Sequence, residues 1–82
     1  MEDIVRLPRQ LSQVLRAHRK RKHLTQYRAG QSVGLLPKTI SALETRPEGS
    51  SIASLFRLLS ALDLELVVQE RRPSRQDDGP EW

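Results

Sequence analysis

Eighty-two residues make one small domain with a modest buried core, and the absence of cysteine excludes disulfides and thiolate metal sites as sources of stability. Packed helices and oligomerisation remain. The formal net charge is +4, no apolar run approaches the ~20 residues of a membrane span, and the N-terminus has no signal-peptide core, so the expected location is the cytoplasm with no membrane partner.

Residues 1–7 form an N-terminal arm, in which Ile4 and Val5 either lie against the domain or add an edge strand. Leu7-Pro8 opens a first helix, whose Leu11, Val14, Leu15, Ala17 and His18 follow the three-and-four spacing of a core-facing stripe. That helix ends in Arg16, Arg19, Lys20, Arg21 and Lys22, flanked by His18 and His23. Such a run either compensates the helix dipole or contacts phosphate.

Thr25 is the N-cap of a second helix, Gln26 to Val33, which closes at Gly34, a C′ position that favours φ > 0. Gly30 inside it costs ~1 kcal/mol relative to Ala. A closer approach to the next helix would offset this, with Tyr27 or Leu36 filling the volume that Ala29 leaves. Pro37 suits a first helical position. The third helix, Lys38 to Glu44, sets Thr39, Ile40 and Leu43 on one face and Lys38, Ser41 and Ala42 on another. Two short helices joined by a Gly-bearing turn make a helix-turn-helix.

Residues 45–51 are a loop by composition, and Ser50 or Ser51 caps a fourth helix from Ile52 to about Leu62. Ile52, Leu55, Phe56, Leu58, Leu59 and Leu62 give it a broad apolar face, with Arg57 and Ser60 on the polar side. From Leu62 the period changes to two: Leu62, Leu64, Leu66 and Val68 alternate with Asp63, Glu65, Val67 and Gln69, as in a strand. A continued helix would instead stack Leu58, Leu62 and Leu66. A strand over residues 64–70 has no internal partner, so it predicts a homodimer in which Leu64, Leu66, Val67 and Val68 pair with their own copies across a two-fold axis.

Residues 71–82 form a polar tail whose three Arg balance Asp77, Asp78 and Glu81, leaving the charge excess in the body. The terminal Trp82 is either a solvated end or an anchor for a partner protein. No enzyme chemistry is legible. His18 and His23 have no neighbouring carboxylate or Cys arrangement, no Gly-rich phosphate loop occurs, and neither a metal nor a cofactor is implied.

The run LTQ…GLLPKTISALE resembles the Cro/repressor (Xre-type) helix-turn-helix at Leu24, Thr25, Gln26, Gly34, Thr39, Ile40, Ser41, Leu43 and Glu44. The resemblance implies a mainly α, lambda-repressor-like domain over residues 8–70, with four helices and one C-terminal β-strand pairing across a dimer. It places Gln26 and Tyr27 on the DNA backbone. Lys38, Thr39, Ser41 and Ala42 face the major groove beside Leu36 and Pro37, and Arg46 is a phosphate contact. Lys38 suits guanine O6 or N7, while Ala42 and the Thr39 methyl suit thymine methyls. It also implies a structural ion pair between Arg19 and Glu44.

The helical domain followed by LDLELVV is similar to the HipB-like branch of that family. This implies a dimeric autorepressor on an inverted-repeat operator in double-stranded DNA, which neutralises a HipA-like serine/threonine kinase toxin. A stand-alone repressor without a toxin, or an interaction module that reads no DNA, are the rival readings.

Overall fold

The computed structural model describes residues 2–72; Trp82 and the rest of the tail beyond residue 72 lie outside the described residues. Four α-helices occur among them: α1 Pro8–Arg21, α2 Gln26–Gln31, α3 Pro37–Thr45 and α4 Ile52–Ala61, with a 3₁₀ turn at Pro47–Gly49. Proline fixes the start of α1, where Gln10 Oε1 accepts the N–H groups of Arg6 and Leu7 at 2.6 and 2.9 Å. Ser51 caps α4 by accepting the Ser54 N–H at 3.0 Å.

Three of the helices stop in the same way. His23, Gly34 and Asp63 take φ of 59°, 72° and 59°. The leucine after each sends its N–H back five residues: Leu24 to Arg19 O, Leu35 to Gly30 O and Leu64 to Leu59 O, at 3.2, 3.0 and 2.8 Å. This is the Schellman closure, with an apolar residue folded back onto the helix it ends. Leu35 is buried, and Leu24 and Leu64 pack against the core. The last closure removes the continued-helix alternative for residues 64–70, because Asp63 turns the chain out of α4. Residues 64–72 are neither helix nor paired strand among the described residues.

The core is Leu15, Ala29, Leu35, Ile40, Leu43, Leu58, Leu59 and Leu62. Several expectations need correction. Ala17 is exposed, because the buried α1 stripe runs through Ser12, Leu15 and Arg19. Ile52 and Phe56 are 71% and 50% exposed, since the inward face of α4 narrows to Leu58, Leu59 and Leu62. α2 ends at Gln31 rather than Val33, and α3 extends by one residue at each end. Neither Tyr27 nor Leu36 fills the space beside Ala29; both are exposed. The gap closes by backbone approach instead: a Cβ on Gly30 would lie 2.2 Å from Leu35 O and 3.0 Å from Ile40 Cδ1.

Candidate nucleic-acid interface

α2 and α3 form the helix-turn-helix, and their local chemistry fixes its geometry. Thr25 Oγ1 accepts the Arg28 N–H at 3.0 Å, which starts α2. Gly34 closes it, and Leu36 and Pro37 lead directly into α3. The face of α3 opposite Ile40 and Leu43 carries Lys38, exposed, and Ser41 and Ala42, half-buried. Thr39 is half-buried, while Leu36, Pro37 and Tyr27 are exposed. Arg46 is exposed just past the helix, and its N–H donates to Ala42 O at 2.7 Å. Thr45, one helical row beyond Lys38 and Ser41, shares that outward side, and its hydroxyl donates to Ser41 O at 2.8 Å.

Gln26 is placed differently from its neighbours. Its side chain is half-buried, and Nε2 donates to Glu44 Oε1 at 3.3 Å. It therefore joins a buried cluster at the meeting point of α1, α2 and α3. There Arg19 Nε donates to Glu44 Oε2 at 2.6 Å and Nη2 to Oε1 at 3.0 Å, a two-pronged fork. Arg19 Nη1 also donates to Leu24 O at 2.8 Å, tying the fork to the chain just ahead of α2. The two residues are only 9% and 8% exposed. Hydrogen bonding to Glu44 raises the Arg19 pKa, against the opposing effect of burial. Ser12 Oγ adds a second link between α1 and α3, donating to Leu43 O at 3.0 Å.

The basic run at the end of α1 does not act as one patch. Arg19 points inward, Lys22 Nζ pairs with Asp63 Oδ2 at 3.1 Å, and Arg16, Lys20 and Arg21 are exposed. The histidines were expected to lack a carboxylate, but the arm brings Asp3 Oδ2 to 3.1 Å from His18 Nε2. Among the described residues no group of three or more His, Asp or Glu is arranged to hold a metal ion, and no helix is long and apolar enough to cross a membrane.

No family model matches the chain. Among curated proteins it is 24% identical over 79 residues to the antitoxin HipB of Escherichia coli strain K12, covering 92% of this chain and 90% of the relative. It is 28% identical over 61 residues to the antitoxin HipB of Escherichia coli O6:H1, covering 74% of this chain and 65% of that protein. The fold agrees with solved HipB chains. One, a HipB variant in complex with an O2 20mer, superposes with a TM-score of 0.83 at 22% identity, over 88% of this chain and 100% of the other. Another, from a HipA–HipB–O2–O3 complex, gives 0.82 at 22% identity, over 87% and 100%. The HipB-like match extends through α1–α4, so the geometry above is set in a frame of known fold.

Proposed function

We propose that the chain is the DNA-binding antitoxin of a toxin–antitoxin module. In this reading it is a cytoplasmic, dimeric autorepressor of its own operon that binds and neutralises a HipA-like serine/threonine kinase. The observation that carries the reading is the similarity to HipB over 92% of this chain in sequence and 87% in fold, the latter to a HipB chain solved together with HipA.

The α2–α3 unit supports the assignment. Exposed Lys38, with Thr39, Ser41 and Ala42 behind it, faces base edges, and Tyr27, Arg46 and the N-terminus of α2 face phosphates. Gln26 reaches the backbone only from its position on Glu44. Leu36 and Pro37 flank the groove. Residues 64–70 support the dimer: Leu66, Val67 and Val68 are 56%, 67% and 90% exposed in a single chain. Pairing Leu64, Leu66, Val67 and Val68 with a second copy would cover that apolar surface and supply a ladder. The two α3 helices would then meet half-sites about 34 Å apart, or a multiple of that.

Fluorescence titration against the protein's own promoter tests the DNA half, with a shuffled duplex as control. Binding that prefers the promoter and weakens steeply with salt is expected. Equal, salt-insensitive affinity for both duplexes would remove the repressor role. Co-purification with the product of the adjacent gene, repeated with Trp82 deleted, tests the toxin half. Failure to retain a kinase would leave a stand-alone repressor.

A further inference from the structure

Two segments without helical structure flank one face of α1. The arm runs back along the helix it precedes: Leu7 caps the α1 N-terminus, yet Asp3 contacts His18 near the other end. Residues 64–72 run in the same direction. They begin beside the α1 C-terminus, where Lys22 holds Asp63, and reach the arm at Arg72, whose carbonyl accepts from Arg6 Nη2 at 3.4 Å. Arg72 Nη2 also donates to Glu2 Oε1 at 2.9 Å. No backbone–backbone hydrogen bond joins residues 2–5 to residues 65–70.

Between the two segments lies an open groove of about 1310 Å³, floored by Leu11, Val14, Leu15 and Leu59. Ile4 and Val5 line one wall, and Leu66 and Val68 line the other. The volume exceeds the ~300–1,000 Å³ of a small-molecule site. The groove lies along α1, whose 14 residues rise about 21 Å. Six or seven strand residues at ~3.3 Å each span the same distance.

We propose that residues 64–70 of a second copy seat in this groove, making the arm an outer strand of a four-stranded, two-fold sheet. The order is arm, partner's strand, own strand, partner's arm. The proposal rests on the dimer reading above and adds the arm to it. Strand direction selects a second copy as the occupant. A two-fold axis makes two copies of one segment antiparallel. The arm runs parallel to its own segment 64–72, and so runs antiparallel to the partner's. Every neighbouring pair in the sheet is then antiparallel.

Symmetry supplies the second argument. The operation that seats the partner's strand in this groove seats this chain's strand in the partner's, so the assembly closes at two copies. Without the arm, the outer edge of each central strand would stay unpaired. Branched Ile4 and Val5 suit a strand.

The chain has no native cysteine, so single-cysteine variants report contacts cleanly. Ile4→Cys and Val5→Cys proteins are each mixed with Glu65→Cys, Leu66→Cys, Val67→Cys, Val68→Cys or Gln69→Cys proteins, oxidised, and read by mass spectrometry. One register should give arm–strand cross-links at least tenfold above the others. Amide exchange at residues 4–6 should slow at least tenfold together with residues 65–69 as the protein passes from monomer to dimer in sedimentation. Cross-links and protection confined to residues 65–69 would overturn the role of the arm and leave the strand-paired dimer intact. A chain that stays monomeric, or a dimer in which residues 65–69 exchange freely, would overturn both.

Discussion

Glu44→Gln isolates the buried fork, because it keeps the side-chain shape and removes the charge. Both carboxylate oxygens accept: Oε2 from Arg19 Nε at 2.6 Å, and Oε1 from Arg19 Nη2 at 3.0 Å and Gln26 Nε2 at 3.3 Å. An amide at position 44 has one acceptor oxygen, so either orientation turns an NH₂ against a donor. The variant therefore loses at least one charge-assisted bond, worth ~1.5–3 kcal/mol. It also leaves the guanidinium of Arg19, a residue 9% exposed, without its counter-charge. Breaking one side of a buried pair costs ~3–5 kcal/mol, and the retained hydrogen bond places this change at about 2–4 kcal/mol. For a domain of this size each kcal/mol lowers the Tm by ~4–8 °C, so a fall of about 8–32 °C is expected by circular dichroism at fixed protein concentration. Replacing both partners by apolar residues, Arg19→Met with Glu44→Leu, should recover most of the loss, since it leaves no unpaired charge. A Glu44→Gln protein melting within about 2 °C of the parent would refute a structural role for the pair.

Gly30→Ala should destabilise by ~1–3 kcal/mol despite the usual helix gain from alanine, because the new Cβ meets Leu35 O at 2.2 Å. Gly34→Ala, at φ +72° with its nearest neighbour 3.9 Å away, should cost ~1–2 kcal/mol from backbone strain alone. Urea melts of both check this order, and a more stable Gly30→Ala protein would contradict the close approach. Ser12→Ala removes the buried bond to Leu43 O and should cost ~1 kcal/mol, again read by urea melts. Lys38→Ala should leave the melt unchanged but weaken specific operator binding by ~1–3 kcal/mol, whereas changing Lys20 or Arg21 should lower the salt slope across all sequences. Titration on matched and shuffled duplexes separates the two, and an equal loss on both for Lys38→Ala would exclude base readout.

The helix-turn-helix is legible in the sequence because its boundaries are chemical. Thr25 can cap, Gly34 can turn through positive φ, and Pro37 can begin a helix; each acts within a few residues. The other two helix stops are not legible in that way. His23 and Asp63 occupy the same conformation as Gly34, one that their residue types enter more often than most but far less readily than Gly. What the three sites share is the leucine that follows, buried or packed on the core, so tertiary packing holds a strained residue in place. Periodicity also overstated the core at Ala17, Ile52 and Phe56, since an apolar position is covered only where another element exists to cover it. The Arg19–Glu44 pairing, 25 residues apart in sequence, has no local signature and came only from the resemblance.

α1 connects the two activities proposed for this chain. One face carries Leu11 and Val14 into the groove, while Ser12 and Arg19 turn the other way, to Leu43 and Glu44 on α3. A half-site spacing is useful only if the dimer contact and the reading helix move as one body, because a dimer with loose heads loses the gain of binding two sites at once. Apolar contact between α1 and α3 would hold them together but tolerate sliding. A two-pronged fork and a directed hydroxyl bond fix both distance and rotation. In the proposed dimer this would account for a buried charge pair where an aliphatic pair would be at least as stable: its contribution would lie in alignment between the strand-paired face, α1 and the α3 surface that carries Lys38.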